Sequence, residues 1–284
     1  MISVVIPSHN NGDLLAKTLA GFAAQEPIIE PWEVIVVDNN SRDESIAALQ
    51  REMRNRIDLT LVQQPQLPHP FALCKARNVG ISMARGEWIA CTDADTIPNG
   101  QYLKTLANFL SSQREKSVIG TGERVFVAAD GLTPRQIMDS PGLLNKLSLA
   151  ASPSNYGLST DRRLPMMKRL PDVGHAWDYI HGCSAIYRKS DAQAIGGYRE
   201  VYDGHWGYED IDFAYRMITQ QNCTPLYIEG LHIYHQDLPE SEFDPAHRYD
   251  KASNPNWSRI CDTIPGYREY KVAKYRQLNS SIKI

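Results

Sequence analysis

Trp88-Ile89-Ala90-Cys91-Thr92-Asp93-Ala94-Asp95 reads as an apolar strand that runs out into two acids one residue apart. Side chains two apart in extended chain point the same way, so Asp93 and Asp95 aim together beyond the strand end. In open α/β sheets ligands gather at the carboxyl ends of the strands, where a carboxylate pair suits a cation that bridges to phosphates. Asp also starts turns through its own side chain. The pair therefore takes its meaning from its surroundings.

Strand patterns at 3–6, 33–37, 59–62 and 88–92 alternate with helix patterns at 13–24, 43–54, 72–84 and 102–110. This rhythm predicts an α/β fold, a single Rossmann-like, mostly parallel sheet with helices on both faces. The first two strands are continuously apolar, as strands covered on both faces are. A further strand is expected at 117–127, and from 128 to 178 the pattern dissolves into Pro-, Gly- and Ser-containing segments. Loops and short helices are expected there, a natural site for acceptor recognition. Order returns with a strand at 184–188, a short helix at 190–195 ended by Gly196-Gly197, a helix at 209–220 and a strand at 225–228.

The chain has 284 residues, 42% hydrophobic and 22% charged, enough for a sizeable globular core. A net charge of -3 with dispersed basic residues argues against a nucleic-acid partner. The five cysteines contain no CxxC pair, so buried free thiols in a reducing compartment are expected. The N-terminus enters a strand at once, which leaves no room for a signal peptide, and no apolar run approaches the roughly 20 residues of a membrane span. A cytoplasmic protein is expected, with any membrane contact peripheral and on the inner face.

Two polar loops, Pro7-Ser8-His9-Asn10-Asn11-Gly12 and Asp38-Asn39-Asn40-Ser41-Arg42-Asp43, follow the first two strands on the same sheet edge as Asp93 and Asp95. Short polar side chains there can read a nucleobase, and Asp38 can accept from an imide N–H. Asn40, Ser41 and Asp43 suit helix capping better. No Gly-x-Gly-x-x-Gly and no phosphate loop is present, so phosphate must be held by a metal and side chains. Lys75 and Arg77 stand near a helix start, against the dipole, and an anionic ligand would compensate them. Arg77 is the first choice for a base or diphosphate contact.

The run from His205 to Met217 has helical apolar spacing, which puts Glu209 and Asp210 in the first turn, where the dipole favours the anionic form. A carboxylate held there suits proton transfer from an incoming hydroxyl. Trp206-Gly207-Tyr208 in front of it suits a platform for the apolar face of a sugar. Farther on, His232 and His235 are three apart and face opposite ways in extended chain. One of them is expected to join the aspartates, and imidazole beside carboxylates shifts preference from Mg²⁺ towards Mn²⁺.

Taken in order, Val4-Val5-Ile6-Pro7-Ser8-His9-Asn10, Val36-Val37-Asp38-Asn39-Asn40-Ser41, Arg77-Asn78-Val79-Gly80 and Asp93-Ala94-Asp95 resemble the nucleotide-sugar half of glycosyltransferase family 2, of the GT-A fold. Gly196-Gly197-Tyr198, Trp206-Gly207-Tyr208-Glu209-Asp210 and Tyr234-His235-Gln236 are similar to the galactosyltransferase-like half of chondroitin-polymerase domains and β-1,4-galactosyltransferases. The resemblance implies a nucleotide-sugar half at 1–127, a variable segment at 128–178, an acceptor half with a smaller sheet at 179–239 and an extension at 240–284. It implies that Asp38 and Arg77 contact uracil, with Pro7, His9, Asn10 and Trp206 also on the donor site. Asp93 would touch ribose and metal, Asp95 and His235 the metal, Glu209 a sugar, and Asp210 would be the base.

Glu-Asp at 209–210 is the pattern of the inverting relatives. The implied reaction is a metal-dependent inverting transfer, with Mn²⁺ or Mg²⁺, of a hexose or N-acetylhexosamine from a UDP-sugar to a saccharide or glycolipid hydroxyl. Polysaccharide biosynthesis is the implied setting. The rivals are a nucleotidyltransferase and a non-catalytic carbohydrate-binding protein that keeps the fold.

Overall fold

Strand β1 (Ile2–Ser8) is buried along its whole length, because parallel strands flank it on both sides. These are β2 (Trp32–Asp38) and β4 (Trp88–Cys91), and β3 (Leu59–Gln63) pairs in parallel with the far edge of β2. Helices α1 (Gly12–Ala23), α2 (Ser45–Met53) and α3 (Leu73–Met83) make the crossovers. Alternation along β1 sends Val4 and Ile6 into a cluster with Leu15, Leu19 and Phe22 of α1. Val5 enters a second cluster on the opposite face with Cys74, Ala76 and Ile81 of α3. This computed structural model describes residues 1–42, 45–65, 72–147, 161–236 and 254–281.

Beyond β4 the sheet continues through β7 (Ala185–Arg188), β6 (Val118–Val127), β8 (Thr224–Gln236) and β5 (Thr96–Pro98), giving the order β3-β2-β1-β4-β7-β6-β8-β5. Strand β7 is antiparallel to both β4 and β6, β8 is parallel to β6, and β5 is antiparallel to β8. The smaller acceptor-side sheet expected from the sequence is thus not separate among the described residues: its strands extend one sheet to eight. Hydrogen bonding between β4 and β7 joins the parallel part of the sheet to the rest, so the loops of both parts sit on a common frame.

Strand β8 also runs past the expected end at 228 to Gln236. Gly230, at φ +78°, and a register shift between Thr121 and Glu123 absorb an irregularity that reads in sequence as a stop. Gly122 makes the join feasible, since a Cβ there would lie 2.1 Å from the Leu231 carbonyl oxygen.

Helix α4 (Tyr102–Ser111) covers one face of the sheet with Tyr102, Leu103 and Leu106. In the expected variable segment the described residues form α5 (Pro134–Asp139), α6 (Leu164–Met167) and short 3-10 turns. A capping box between Thr133 and Gln136 starts α5. Helices α7 (Lys189–Ala194) and α8 (Glu209–Gln220) follow β7, and α9 (Pro255–Thr263) and α10 (Tyr267–Ser281) form the extension. Ile260, Ile264 and Tyr267 of the extension join the same cluster as Phe213, Ala214 and Met217 of α8. Asp43, the expected helix start, Asp237, and the boundary at 239/240 lie outside the described residues. All five cysteines are free, four of them buried. No helix among the described residues is long and apolar enough to cross a membrane.

Candidate active site

Asp93-Ala94-Asp95 forms the turn between β4 and β5, held by the Thr96 hydroxyl, which lies 2.6 Å from that of Thr92 and accepts from the Asp93 N–H at 3.1 Å. Strand β5 is too short to announce itself in sequence, yet its pairing brings Thr96 opposite His235. Asp95 Oδ2 consequently lies 3.7 Å from His235 Nε2, while Asp95 Oδ1 is buried without a hydrogen-bond partner. His232 faces the other way, 3.3 Å from Glu123. Of the two histidines, His235 is the one beside the aspartates.

Arg77 occupies the centre of the site and is 1% exposed. Its Nη2 donates to Asp93 Oδ1 at 3.0 Å and its Nη1 to Glu209 Oε1 at 3.1 Å, so one guanidinium bridges two acids from the two halves. Burial and the charge of Asp95 push the Asp93 carboxyl above its usual pKa, against the pull of Arg77. Gly182 lets the chain lie against the bridge, since a Cβ there would sit 2.5 Å from Arg77 Nη2. Arg77, expected at a base or diphosphate, is engaged by these two acids inside the protein. The neighbouring motif residues are structural too. The Asn78 side chain donates to the Tyr198 carbonyl and accepts from the Tyr198 N–H, both at 2.8 Å. Gly80 lets α3 close on Val5, whose Cγ1 would lie 2.3 Å from any Cβ. The anion that the dipole argument demanded at the start of α3 is Asp203, which accepts from the Cys74 and Lys75 N–H groups.

The two polar loops pin each other. His9 Nδ1 lies 2.8 Å from the Asn39 carbonyl oxygen, the Asn10 N–H donates to Ser41 Oγ, and Asn10 Oδ1 accepts from the Arg42 N–H. Asn10 and Asn40 both adopt left-handed backbone, which Asn tolerates. Asp38, expected to meet a nucleobase, is 1% exposed and accepts from the N–H and hydroxyl of Ser41. Pro7 is buried within β1. Ser41, read as a helix cap, is instead a bridge between the loops.

Helix α8 starts abruptly, after Gly207 at φ +88° and Tyr208 at φ +76°. Asp210 accepts from the Gly182 N–H at 3.3 Å and from the Ile211 N–H at 2.8 Å. Glu209 is 8% exposed, and burial together with the charge of Asp210 pushes its pKa up to about 7 despite Arg77. Desolvation here opposes the preference of the helix dipole for an ionised Glu209. The sign of the consequence is fixed: a carboxyl whose native pKa exceeds its unfolded value supports the fold at low pH and loses that contribution as pH rises through about 7. Glu209→Gln removes the loss. Denaturant melts in EDTA should find the variant gaining on the parent by on the order of 1–3 kcal/mol between acid and pH 8. A difference that does not change with pH would refute this account. Asp212, the next acid, is fully buried between Arg199 and Arg216.

Sequence reasoning missed Asn256, which is 0% exposed and sits at the start of α9. Its Nδ2 donates to the carbonyls of Tyr202, His205 and Gly207 at 2.8, 3.1 and 3.1 Å. Asn254 adds a bond to the Trp206 carbonyl. The loop that carries the half-exposed Trp206 and leads into Glu209 is thus tied down from the extension. The local sequence marks only an Asn-Pro helix start. Asn256→Leu takes the donor from three carbonyls, that of Tyr202 buried, and should cost about 1–3 kcal/mol in denaturant unfolding. A neutral result would mean that the loop holds itself.

The geometry can be set against known proteins. A family model described as glycosyl transferase family 2 matches residues 3–196, and one described as the N-terminal domain of galactosyltransferase matches 167–235. The chondroitin synthase of Escherichia coli is 26% identical over 264 residues, which is 90% of this chain and 37% of that protein. The validoxylamine A glucosyltransferase of Streptomyces hygroscopicus subsp. jinggangensis is 28% identical over 225 residues, 76% of this chain and 51% of that protein. The chain spans between a quarter and about half the length of such curated relatives. Among solved structures, S. aureus TarS 1-349 in complex with UDP-GlcNAc matches with a TM-score of 0.59 at 19% identity, over 84% of this chain and 59% of that one. Mannosyltransferase PcManGT from Pyrobaculum calidifontis, in complex with GDP-Man and Mn2+, matches with a TM-score of 0.57 at 20% identity, over 85% and 58%. The fold is that of GT-A glycosyltransferases. With its family match covering well over half of its length, this chain belongs to glycosyl transferase family 2.

Proposed function

We propose that the chain is a metal-dependent inverting glycosyltransferase that moves a hexose or N-acetylhexosamine from a UDP-sugar to a hydroxyl of a saccharide or glycolipid. The observation that carries this reading is the single buried guanidinium of Arg77 joining Asp93, beside Asp95 and His235, to Glu209, next to Asp210. A cation-binding edge and a proton-accepting edge are thereby held in one rigid unit. The solved neighbours that carry UDP-GlcNAc, or GDP-Man with Mn2+, lend support to a nucleotide-sugar donor and a divalent ion.

The residues fit such an ion. Among the described residues no cluster of three or more His, Cys, Asp or Glu could hold a metal alone, so a bound ion needs oxygens from the donor. Asp95, with its buried unpartnered Oδ1, and His235 would hold it, with Asp93 near by; carboxylate and imidazole suit Mn²⁺ or Mg²⁺. A bound ion would supply neutralisation of the departing diphosphate. The chain's residues do the rest. Arg77 fixes Asp93 and Glu209, Trp206 offers its exposed ring to a sugar, and Asp210 takes the proton of the attacking hydroxyl. One displacement on the anomeric carbon gives one inversion. A uracil contact by Asp38 or Arg77 would require each to leave its present partners, so we assign both to organising the donor side.

UDP release from a panel of UDP-sugars, with Mn²⁺, with Mg²⁺ and with EDTA, tests the reading. Release that EDTA abolishes is expected; pyrophosphate in place of UDP would indicate nucleotidyl transfer, and retained anomeric configuration by NMR would overturn inversion.

A further inference from the structure

Asp161 lies in the segment where the sequence offers no motif, yet it is 1% exposed and its carboxylate serves three side chains. Its Oδ1 accepts from the N–H and the Nε of Arg163 at 3.0 and 3.1 Å. Its Oδ2 faces Arg163 Nη2 at 3.2 Å, Arg124 Nε at 3.4 Å and His181 Nε2 at 3.6 Å. Resting on the proposed function, we infer that Asp161 is a positioning residue for the base: by holding His181 it aims the Gly182 N–H that grips Asp210.

Asp210 is held at both carboxylate oxygens. The Ile211 N–H, from its own helix, donates to Oδ1 at 2.8 Å, and the Gly182 N–H, from another element, donates to Oδ2 at 3.3 Å. One donor leaves a carboxylate free to swing, whereas two fix its plane and so the direction of the lone pair that takes a proton. A peptide is planar, so the Gly182 N–H points where the His181 end of that peptide is set.

That setting rests on three contacts. Arg77 stands against Gly182 and leaves no room for a Cβ there. The His181 carbonyl accepts from the Ser184 N–H at 3.1 Å, and Ser184 Oγ accepts from the Gly122 N–H at 3.1 Å, which ties the 3-10 turn Gly182–Ser184 to β6. The His181 ring is the third contact, 2% exposed, and Asp161 is the acid it meets. Burial alone would push the Asp161 carboxyl up; Arg163, His181 and Arg124 outweigh it and hold the group well below the usual carboxylate range. Asp161 thus stays an anion, and it joins β6, residues 161–163 and the turn that follows His181.

Asp161→Asn leaves one acceptor oxygen where the three side chains use two. The test is UDP release at saturating donor, from whichever UDP-sugar the unaltered protein turns over fastest, set beside calorimetric titration with UDP. Release should fall about 10- to 100-fold while UDP affinity stays within about twofold of the parent. In an Asp210→Asn background the same change should cost less than about twofold, because the group it positions is already gone. His181→Leu cuts the link at its other end and leaves Asp161 both arginines. It should reproduce the fall, and the lack of one in the Asp210→Asn background, and it decides the matter if Asp161→Asn does not fold. A parental rate, or an equal loss in both backgrounds, overturns the proposal. So does a fall in UDP affinity, since Arg124 also lies over Phe126, whose ring centroid is 5.5 Å from that of His235 on the donor side. UDP release by the unaltered protein reads the underlying function separately: if it releases UDP and the variants match it, the proposed activity stands and this assignment falls.

Discussion

Asp210→Asn should lower sugar transfer by about 10²- to 10⁴-fold while UDP affinity stays near that of the parent. Asparagine has the same shape, and its side-chain oxygen can still accept from the Gly182 N–H that now meets Asp210 at 3.3 Å. What it lacks is a lone pair basic enough to take a proton from the acceptor hydroxyl. The donor-side groups Asp95 and His235 belong to the β4–β5 turn and to β8, and neither depends on Asp210 for a hydrogen bond. Rate and donor binding should therefore separate. Steady-state transfer and calorimetric titration with UDP measure the two; a fully active variant would remove Asp210 from the reaction.

Arg77→Met should destabilise the fold by about 3–5 kcal/mol, because it strips the cation from between Asp93 and Glu209 and leaves both acids without it. The methionine approximates the aliphatic stem, so the loss is electrostatic more than a matter of packing. By the usual scaling this lowers the melting temperature by roughly 6–15 °C. The deficit should shrink in acid, where protonation of Glu209 and Asp93, both already raised in pKa, removes the repulsion. Arg77→Lys should recover part of it, since an ammonium can meet either carboxylate but cannot fork to both. Melts of the three proteins at two pH values decide the matter, and a Met variant as stable as the parent would show that the bridge contributes nothing net.

The strands of the donor half were legible because burial on both faces leaves an unbroken apolar run, as in Val4-Val5-Ile6. Strand β5 left no such mark, being three residues long directly after the acids. Strand β8 is expected to end at 228, whereas it runs on through Gly230, in left-handed backbone, to Gln236. Among candidate site residues, type and rough location were legible, but not partnership. Arg77 and Glu209 lie 132 positions apart, and a sequence cannot announce that one arginine will be sealed between two such acids. Nor does a sequence announce that Asp38 meets Ser41 of its own loop and Asn10 meets Arg42 of the neighbouring one. Parity along an extended chain puts His232 and His235 on opposite sides, but it takes the pairing of β5 with β8 to show that His235 is the one beside the aspartates.

The anchoring of the 202–207 loop by Asn256 bears on what is inherited together. The two family models together stop at residue 235, twenty-one positions before the side chain that pins this loop. The portion those models describe is thus smaller than the portion that holds the loop in place. A chimaera spliced at residue 235 would carry all the acids, the arginine and the histidine, and would still present its aromatic loop without the asparagine that pins it.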